Sequence, residues 1–236
     1  MPRNSNGPDK KKGIADIVFL VDATGSMSSC IDGLKANLDN FFTTLANADA
    51  NSGFAIADWR ARIVGFRDIE ADGSQWLEAN TFVRDVDQLR SQLNNLVAKG
   101  GGDDPESLLD ALFFLSQIGE TDHDSEDPNK WRRPSDAQRT IAIFTDAQYK
   151  ETMSISGAEG GTVNDVINQI NSNKLKLFIF APDDPGYDVL SSASFVEYTP
   201  IGGEGLDEVT SNASVFEKLL LQLAKSISVS ASTPIL

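Results

Sequence analysis

Residues 16–27 read DIVFLVDATGSM, an apolar run that ends on Asp22 and is followed at alternate positions by the hydroxyls of Thr24 and Ser26. One carboxylate and two alcohols on a tight turn beyond a strand end make a nest of hard oxygens, the ligand chemistry of a small divalent cation such as Mg²⁺. Three oxygens do not fill an octahedral shell, so further acids are expected elsewhere. Two stretches offer them. Residues 100–106 read GGGDDPE and precede an apolar helix; residues 143–146 read IFTD and close a second apolar run on an acid. In the first stretch Pro105 suits a first helical position with Asp104 as N-cap, which puts Glu106 in the first turn, near the positive end of the helix dipole. The three glycines let the backbone approach something closely. That favours Asp103 and Glu106 as cation ligands over plain helix caps. The candidate set is Asp22, Thr24, Ser26, Glu106 and Asp146.

Strands and helices must bring these residues together. The runs 16–21, 139–145 and 175–181 are apolar at nearly every position, the pattern of parallel strands buried on both faces. Further strands are expected at 54–66, at 81–84 and at 195–199; the charges in 54–66 place it closer to an edge. Helical spacing marks 27–46 (Ile31, Leu34, Leu38, Phe41, Leu45), 86–98 (Val86, Leu89, Leu93, Leu96), 105–118, 162–172 and 213–229. Strands alternating with helices predict an α/β fold: a doubly wound, mostly parallel central sheet flanked by helices. In such a sheet ligands bind beyond the carboxyl ends of the strands, where Asp22 and Asp146 both fall.

The 236 residues are enough for a single large core, read here as a disordered basic tail expected over 1–13, one domain over 14–229 and a short C-terminal tail over 230–236. No apolar stretch reaches membrane-spanning length and no secretory signal is visible. A cytoplasmic setting is therefore favoured, unless the chain is an excised domain. The net charge of −15 disfavours nucleic acid and anionic membranes and favours cations or basic partners. Acids crowd Gly100–Asn129, where Asp103, Asp104, Glu106, Asp110, Glu120, Asp122, Asp124, Glu126 and Asp127 meet no Lys or Arg; those over 120–127 read as a solvated loop. A lone His123 makes zinc binding and histidine catalysis poor candidates, and the single Cys30 excludes an internal disulfide.

The combination DATGS, DDPE and FTDA resembles the von Willebrand factor type A (vWA) domain, whose metal-ion-dependent adhesion site (MIDAS) begins with D-x-[ST]-x-S. The DDPE loop, the WRRPSDAQRTIAIFTDA segment and VGFRD at 64–68 are similar to integrin β-subunit I-like domains, and the likeness covers roughly residues 14–229. It implies a Rossmann-like fold with Mg²⁺ or Mn²⁺ touched by Thr24, Ser26 and Glu106, while Asp22 and Asp146 act through water. A partner's Asp or Glu carboxylate would complete the shell. Of the two flanking sites in integrin β, one has its acids replaced here by Ser29 and Cys30 and is expected to be absent. The other, a Ca²⁺ site, would use Asp68, Asp103, Pro105 and Glu106, but Gly101 stands where an asparagine ligand is expected.

The resulting expectation is a metal-dependent protein-binding module without catalysis, its oligomeric state left open. Two alternatives remain. One is an intracellular vWA cofactor that recruits clients to an AAA+ ATPase. The other is an Mg²⁺-dependent phosphohydrolase with Asp22 as nucleophile, although Thr24 stands where its general acid would belong.

Overall fold

A computed structural model describes residues 13–47, 56–102, 104–122, 125–202, 206 and 212–231 of the protein. In chain order the elements are β1 (Gly13–Asp22), α1 (Ser28–Asn47), β2 (Ile56–Phe66), α2 (Ile69–Asp72), β3 (Leu77–Ala79), α3 (Val86–Asn95), α4 (Leu108–Gln117), β4 (Gln138–Phe144), α5 (Val163–Ser172), β5 (Leu175–Pro182), α6 (Pro185–Leu190), β6 (Val196–Ile201) and α7 (Ala213–Ala231). Short 3-10 turns at Gly25–Met27 and Gly73–Gln75 complete the description.

Among the described residues six strands form one sheet in the order β3-β2-β1-β4-β5-β6. Every neighbouring pair is parallel except β2 with β3. Alternation along β1 splits the core in two. Ile17, Phe19 and Val21 join Leu34, Leu38 and Phe41 of α1 and Phe216, Leu220 and Leu223 of α7. Val18 and Leu20 join Leu108 and Leu112 of α4 and Val166 and Ile170 of α5. Helices thus cover both faces, which is why β1, β4 and β5 are apolar almost throughout. Helices α1 and α7 meet closely at Gly33, where a Cβ would lie 2.9 Å from the Phe216 ring. Because β1, β2 and β4 run parallel, the residues that follow Asp22, Phe66 and Phe144 all emerge on the same rim.

Several local expectations are corrected. Strand β2 is an inner strand, with only the three-residue β3 outside it. Its arginines are buried: Arg60 is 2% exposed and donates to Asp16 at 2.8 Å, and the guanidiniums of Arg60 and Arg62 both lie over the Phe82 ring. The strand expected at 81–84 sits earlier, at Leu77–Ala79. The Phe82 N–H is spent on the Pro128 carbonyl, and Val83 makes only an isolated bridge to Ala61. Helix α3 stops at Asn95, because Leu96 turns extended (ψ 116°), a buried residue whose side chain lies against Gly65.

Helix α4 does not begin at Pro105 with Asp104 as its cap. Its N-cap is Ser107, since the backbone of Glu106 is taken up in a parallel bridge to Tyr149. Helix α7 runs on to Ala231, into the stretch read as a tail. Residues 1–12, 232–236 and His123 lie outside the described residues. Cys30, in the first turn of α1, faces the core and is buried. Among the described residues no helix is long and apolar enough to cross a membrane.

Candidate metal centre

Asp22 ends β1 fully buried, and neutral groups satisfy it. Its Oδ1 accepts from the Thr24 amide at 2.9 Å and the Thr24 hydroxyl at 2.7 Å; its Oδ2 accepts from the Thr145 hydroxyl at 2.7 Å. A threonine whose one proton is given to a carboxylate presents only lone pairs elsewhere. The Thr24 oxygen is therefore an acceptor with negative charge behind it. The exposed Ser26 places its Oγ 3.3 Å from that oxygen. These three residues form one local turn, as their spacing implies.

The loop carrying Glu106 reaches this turn through backbone bonds. The Lys99 amide donates to the Ala23 carbonyl at 2.9 Å and the Gly25 amide to the Gly100 carbonyl at 3.4 Å. Gly101 has φ +71°, and a Cβ on it would lie 2.6 Å from Thr24 Cγ2 and 2.9 Å from Glu106 Oε1. Thr24 and Glu106 thus flank the same glycine, and any side chain there would fill the gap beside them. Glu106 itself is held by its backbone: its amide donates to the Gln148 carbonyl at 2.8 Å, and its carbonyl accepts from the Lys150 amide at 2.9 Å. Glu106 is 3% exposed, and its Oε2 is buried without a hydrogen-bond partner.

The electrostatics are one-sided. Burial pushes the Asp22 carboxyl up to about 6; the hydrogen bonds from Thr24 and Thr145 work against this, and the charge of half-buried Asp146 adds to it. Burial pushes Glu106 further, to about 8, and Asp22, Asp68, Asp72 and Asp104 all act in the same direction. A buried acid ringed by acids is costly to ionise, and a cation beside it removes that cost.

Three contributors stand outside the candidate ligand set, although Thr145 and Arg67 fall within FTDA and VGFRD. Thr145, next to Asp146, completes Asp22. Asp72 accepts from the Gly101 amide at 3.2 Å. Arg67, fully buried, donates to the carbonyls of Ala23, Lys99, Gln75 and Val97 at 2.7–3.0 Å and ties the turn after β1 to the loop after α3. The adjacent Asp68 caps α2 through the Glu70 amide and pairs with Lys150, whose Nζ lies 2.7 Å from its Oδ1. Burial raises the Asp68 carboxyl, but Lys150 and the Glu70 amide outweigh it and hold it below its ordinary range. Asp103 lies outside the described residues, so of the set weighed for a second ion Asp68, Pro105 and Glu106 are described.

Among the described residues no three His, Cys, Asp or Glu side chains converge as a metal-binding group. Acids alone therefore do not make the centre, and a cation here depends on hydroxyls. The donor set fits that demand: two alcohol oxygens, one of them backed by Asp22, and a buried carboxylate with an unused oxygen. These are hard ligands suited to Mg²⁺ or Mn²⁺.

No family model and no curated protein matches the chain. Solved structures do. The pilus adhesin SpaC from Lactobacillus rhamnosus GG superposes with a TM-score of 0.52 at 15% identity, over 94% of this chain and 31% of that one. The proximal thread matrix protein 1 from the mussel byssus superposes with a TM-score of 0.54 at 15% identity, over 91% of this chain and 49% of that one. The chain thus spans about a third and about half of these two proteins. At this identity the likeness concerns the fold: a mixed α/β, Rossmann-like domain.

Proposed function

We propose that this chain is a doubly wound vWA-type domain that binds a protein partner through a divalent cation. The cation would be held by Thr24, Ser26 and Glu106, with Asp22 and Asp146 acting from behind. The observation that carries the reading is Glu106, a buried carboxylate with an unpartnered oxygen, set among Asp22, Asp68, Asp72 and Asp104. Such a group is either protonated or neutralised from outside the chain. The adjacent lone pairs of Thr24 and the exposed Ser26 make a cation the apt neutraliser.

Mg²⁺ bound there would supply a Lewis-acidic position for a partner's carboxylate. The chain's own contribution is to orient the ligands. Asp22 accepts the hydrogen bond of the Thr24 hydroxyl and so aims that oxygen's lone pairs outward, and Arg67 bridges the two loops. Because one of the three oxygens lies on an exposed residue, the centre faces solvent on one side, where a partner's Asp or Glu would enter.

Asp22 as a phosphohydrolase nucleophile is disfavoured by the same geometry. It is fully buried, and both its oxygens accept hydrogen bonds from within the chain. The two structural neighbours are named as an adhesin and a thread matrix protein, and neither name describes catalysis.

Calorimetric titration of Mg²⁺ into metal-free protein tests the reading, with Asp22→Ala beside the wild type. One ion per chain, lost in the folded variant, is expected. Equal uptake by both proteins, or none by the wild type at millimolar Mg²⁺, would overturn it.

A further inference from the structure

The loop after β4 carries a lysine into the acidic rim. Lys150 Nζ lies 2.7 Å from Asp68 Oδ1 and 3.0 Å from Glu70 Oε2, and the Lys150 side chain is only 19% exposed. Its backbone amide holds the Glu106 carbonyl at 2.9 Å. Four residues on, the Ser154 hydroxyl donates to the other Glu70 oxygen, Oε1, at 2.9 Å. One short segment therefore fastens Glu106 by its backbone and, by its side chains, gives two neighbouring acids one positive charge and a hydroxyl donor.

This arrangement engages Asp68, one of the residues that the integrin β resemblance would assign to a second cation. Calcium needs six to eight oxygens at about 2.3–2.6 Å, carboxylates among them. Asp68 Oδ1 already holds an ammonium and the Glu70 amide. A Ca²⁺ ion sharing those lone pairs would sit against the lysine's positive charge, and at contact distance that repulsion opposes binding. A lysine ammonium is a compact point charge with three donors, able to serve several carboxylates much as a small ion does.

We propose that Lys150 is a built-in cation which takes the place of a second metal ion and restricts this chain to one divalent ion. The inference rests on the reading of Glu106 as part of a first metal centre, but its test does not. The functional consequence is a rim whose second cation is covalently present, so that no second divalent ion is needed beside Asp68. In this scheme Lys150 is a positioning residue and a determinant of metal count.

The experiment counts bound ions per chain. Metal-free wild type, Lys150→Met and Lys150→Arg are dialysed to equilibrium against Mg²⁺ plus Ca²⁺, and the retained metal is measured by elemental analysis. Far-UV circular dichroism checks folding, and Lys150→Gln replaces Lys150→Met if the latter does not fold. The expected result is one more ion per chain in Lys150→Met than in wild type, with the arginine variant matching wild type. A purely structural lysine would change melting and leave the count unaltered. No added ion in Lys150→Met, or two ions in wild type, would overturn the inference. A change from no ion in wild type to one in Lys150→Met would support it while overturning the proposed first centre. No ion in either protein would overturn both.

Discussion

Asp16 and Asp22 stand at opposite ends of the same strand, both at 0% exposure, yet their surroundings differ in kind. Asp16 lies between two guanidiniums. Arg60 donates to both of its oxygens at 2.8 Å, and Arg132 adds its side chain and its backbone amide at 2.7 Å each. Among the described residues Asp22 receives two hydroxyls and an amide but no cationic side chain; nearby Arg67 spends its guanidinium on backbone carbonyls and on Glu78. A buried carboxylate is tolerated when positive charge is supplied. At the Asp16 end the chain supplies that charge itself, and the result is a closed structural joint. At the Asp22 end it does not, and the deficit extends to Glu106. The two ends show how a buried acid that fixes a fold differs from one that awaits a ligand.

The largest effect should come from breaking the closed end. Asp16→Ala leaves Arg60 and Arg132 buried without their common partner, at a cost of about 3–5 kcal/mol. The corresponding fall in melting temperature is on the order of 10 °C. Differential scanning calorimetry should show this fall, and added Mg²⁺ should not reverse it.

At the open end the expectation inverts. Glu106→Gln should leave the melting temperature of metal-free protein unchanged or higher, and should weaken Mg²⁺ binding by more than about 100-fold, beyond what loss of an outer-shell partner costs. Asp104→Ala, removing an exposed acid, should change affinity by less than about threefold. Equal losses in the two variants would mean that Glu106 is not the ligand.

The contrast also has a pH signature. The carboxyls of Asp22 and Glu106 are lifted to about 6 and about 8 in the folded chain. Above the ordinary carboxylate range of about 4, the folded state therefore holds protons that the unfolded state has released. Stability of the metal-free protein should fall as pH rises from about 4.5 to 8, and be fully retained below that window. Thermal melts across this range should show the slope, which saturating Mg²⁺ or Glu106→Gln should flatten. Mg²⁺ affinity should rise over the same interval, because binding must displace those protons.

A smaller change tests the cradle itself. Gly101→Ala forces an L side chain into the left-handed region, at about 1–2 kcal/mol, and drives a Cβ against Thr24. Mg²⁺ affinity measured calorimetrically should drop while the melting of metal-free protein shifts by only a few degrees.

What could be read from the amino-acid order follows the range of the interactions involved. Strands β1, β4 and β5 were legible because burial on both faces leaves an unbroken apolar run. The turn at Asp22, Thr24 and Ser26 was legible because its geometry is local. Glu106 was picked out for its acidity beside glycines, but its backbone state was misread: a bridge to Tyr149, far along the chain, replaces the helical turn expected there. Strand β2 looked like an edge because Arg60 and Arg62 are charged, and only the folded chain brings Asp16 and Phe82 to them. Thr145 and Arg67 lay inside FTDA and VGFRD without any sign of the roles they play, and Lys150 had no local signal at all. Each acts on residues brought near it by the parallel sheet, and a threonine, an arginine or a lysine in a loop is otherwise unremarked.

The most direct measurement is an anomalous difference map from crystals grown with Mn²⁺. The account predicts one strong peak per chain, within about 2.2 Å of the Thr24 and Ser26 hydroxyl oxygens and a Glu106 carboxylate oxygen. A peak on Asp68 and Glu70 instead, or no peak on the rim at all, would contradict it.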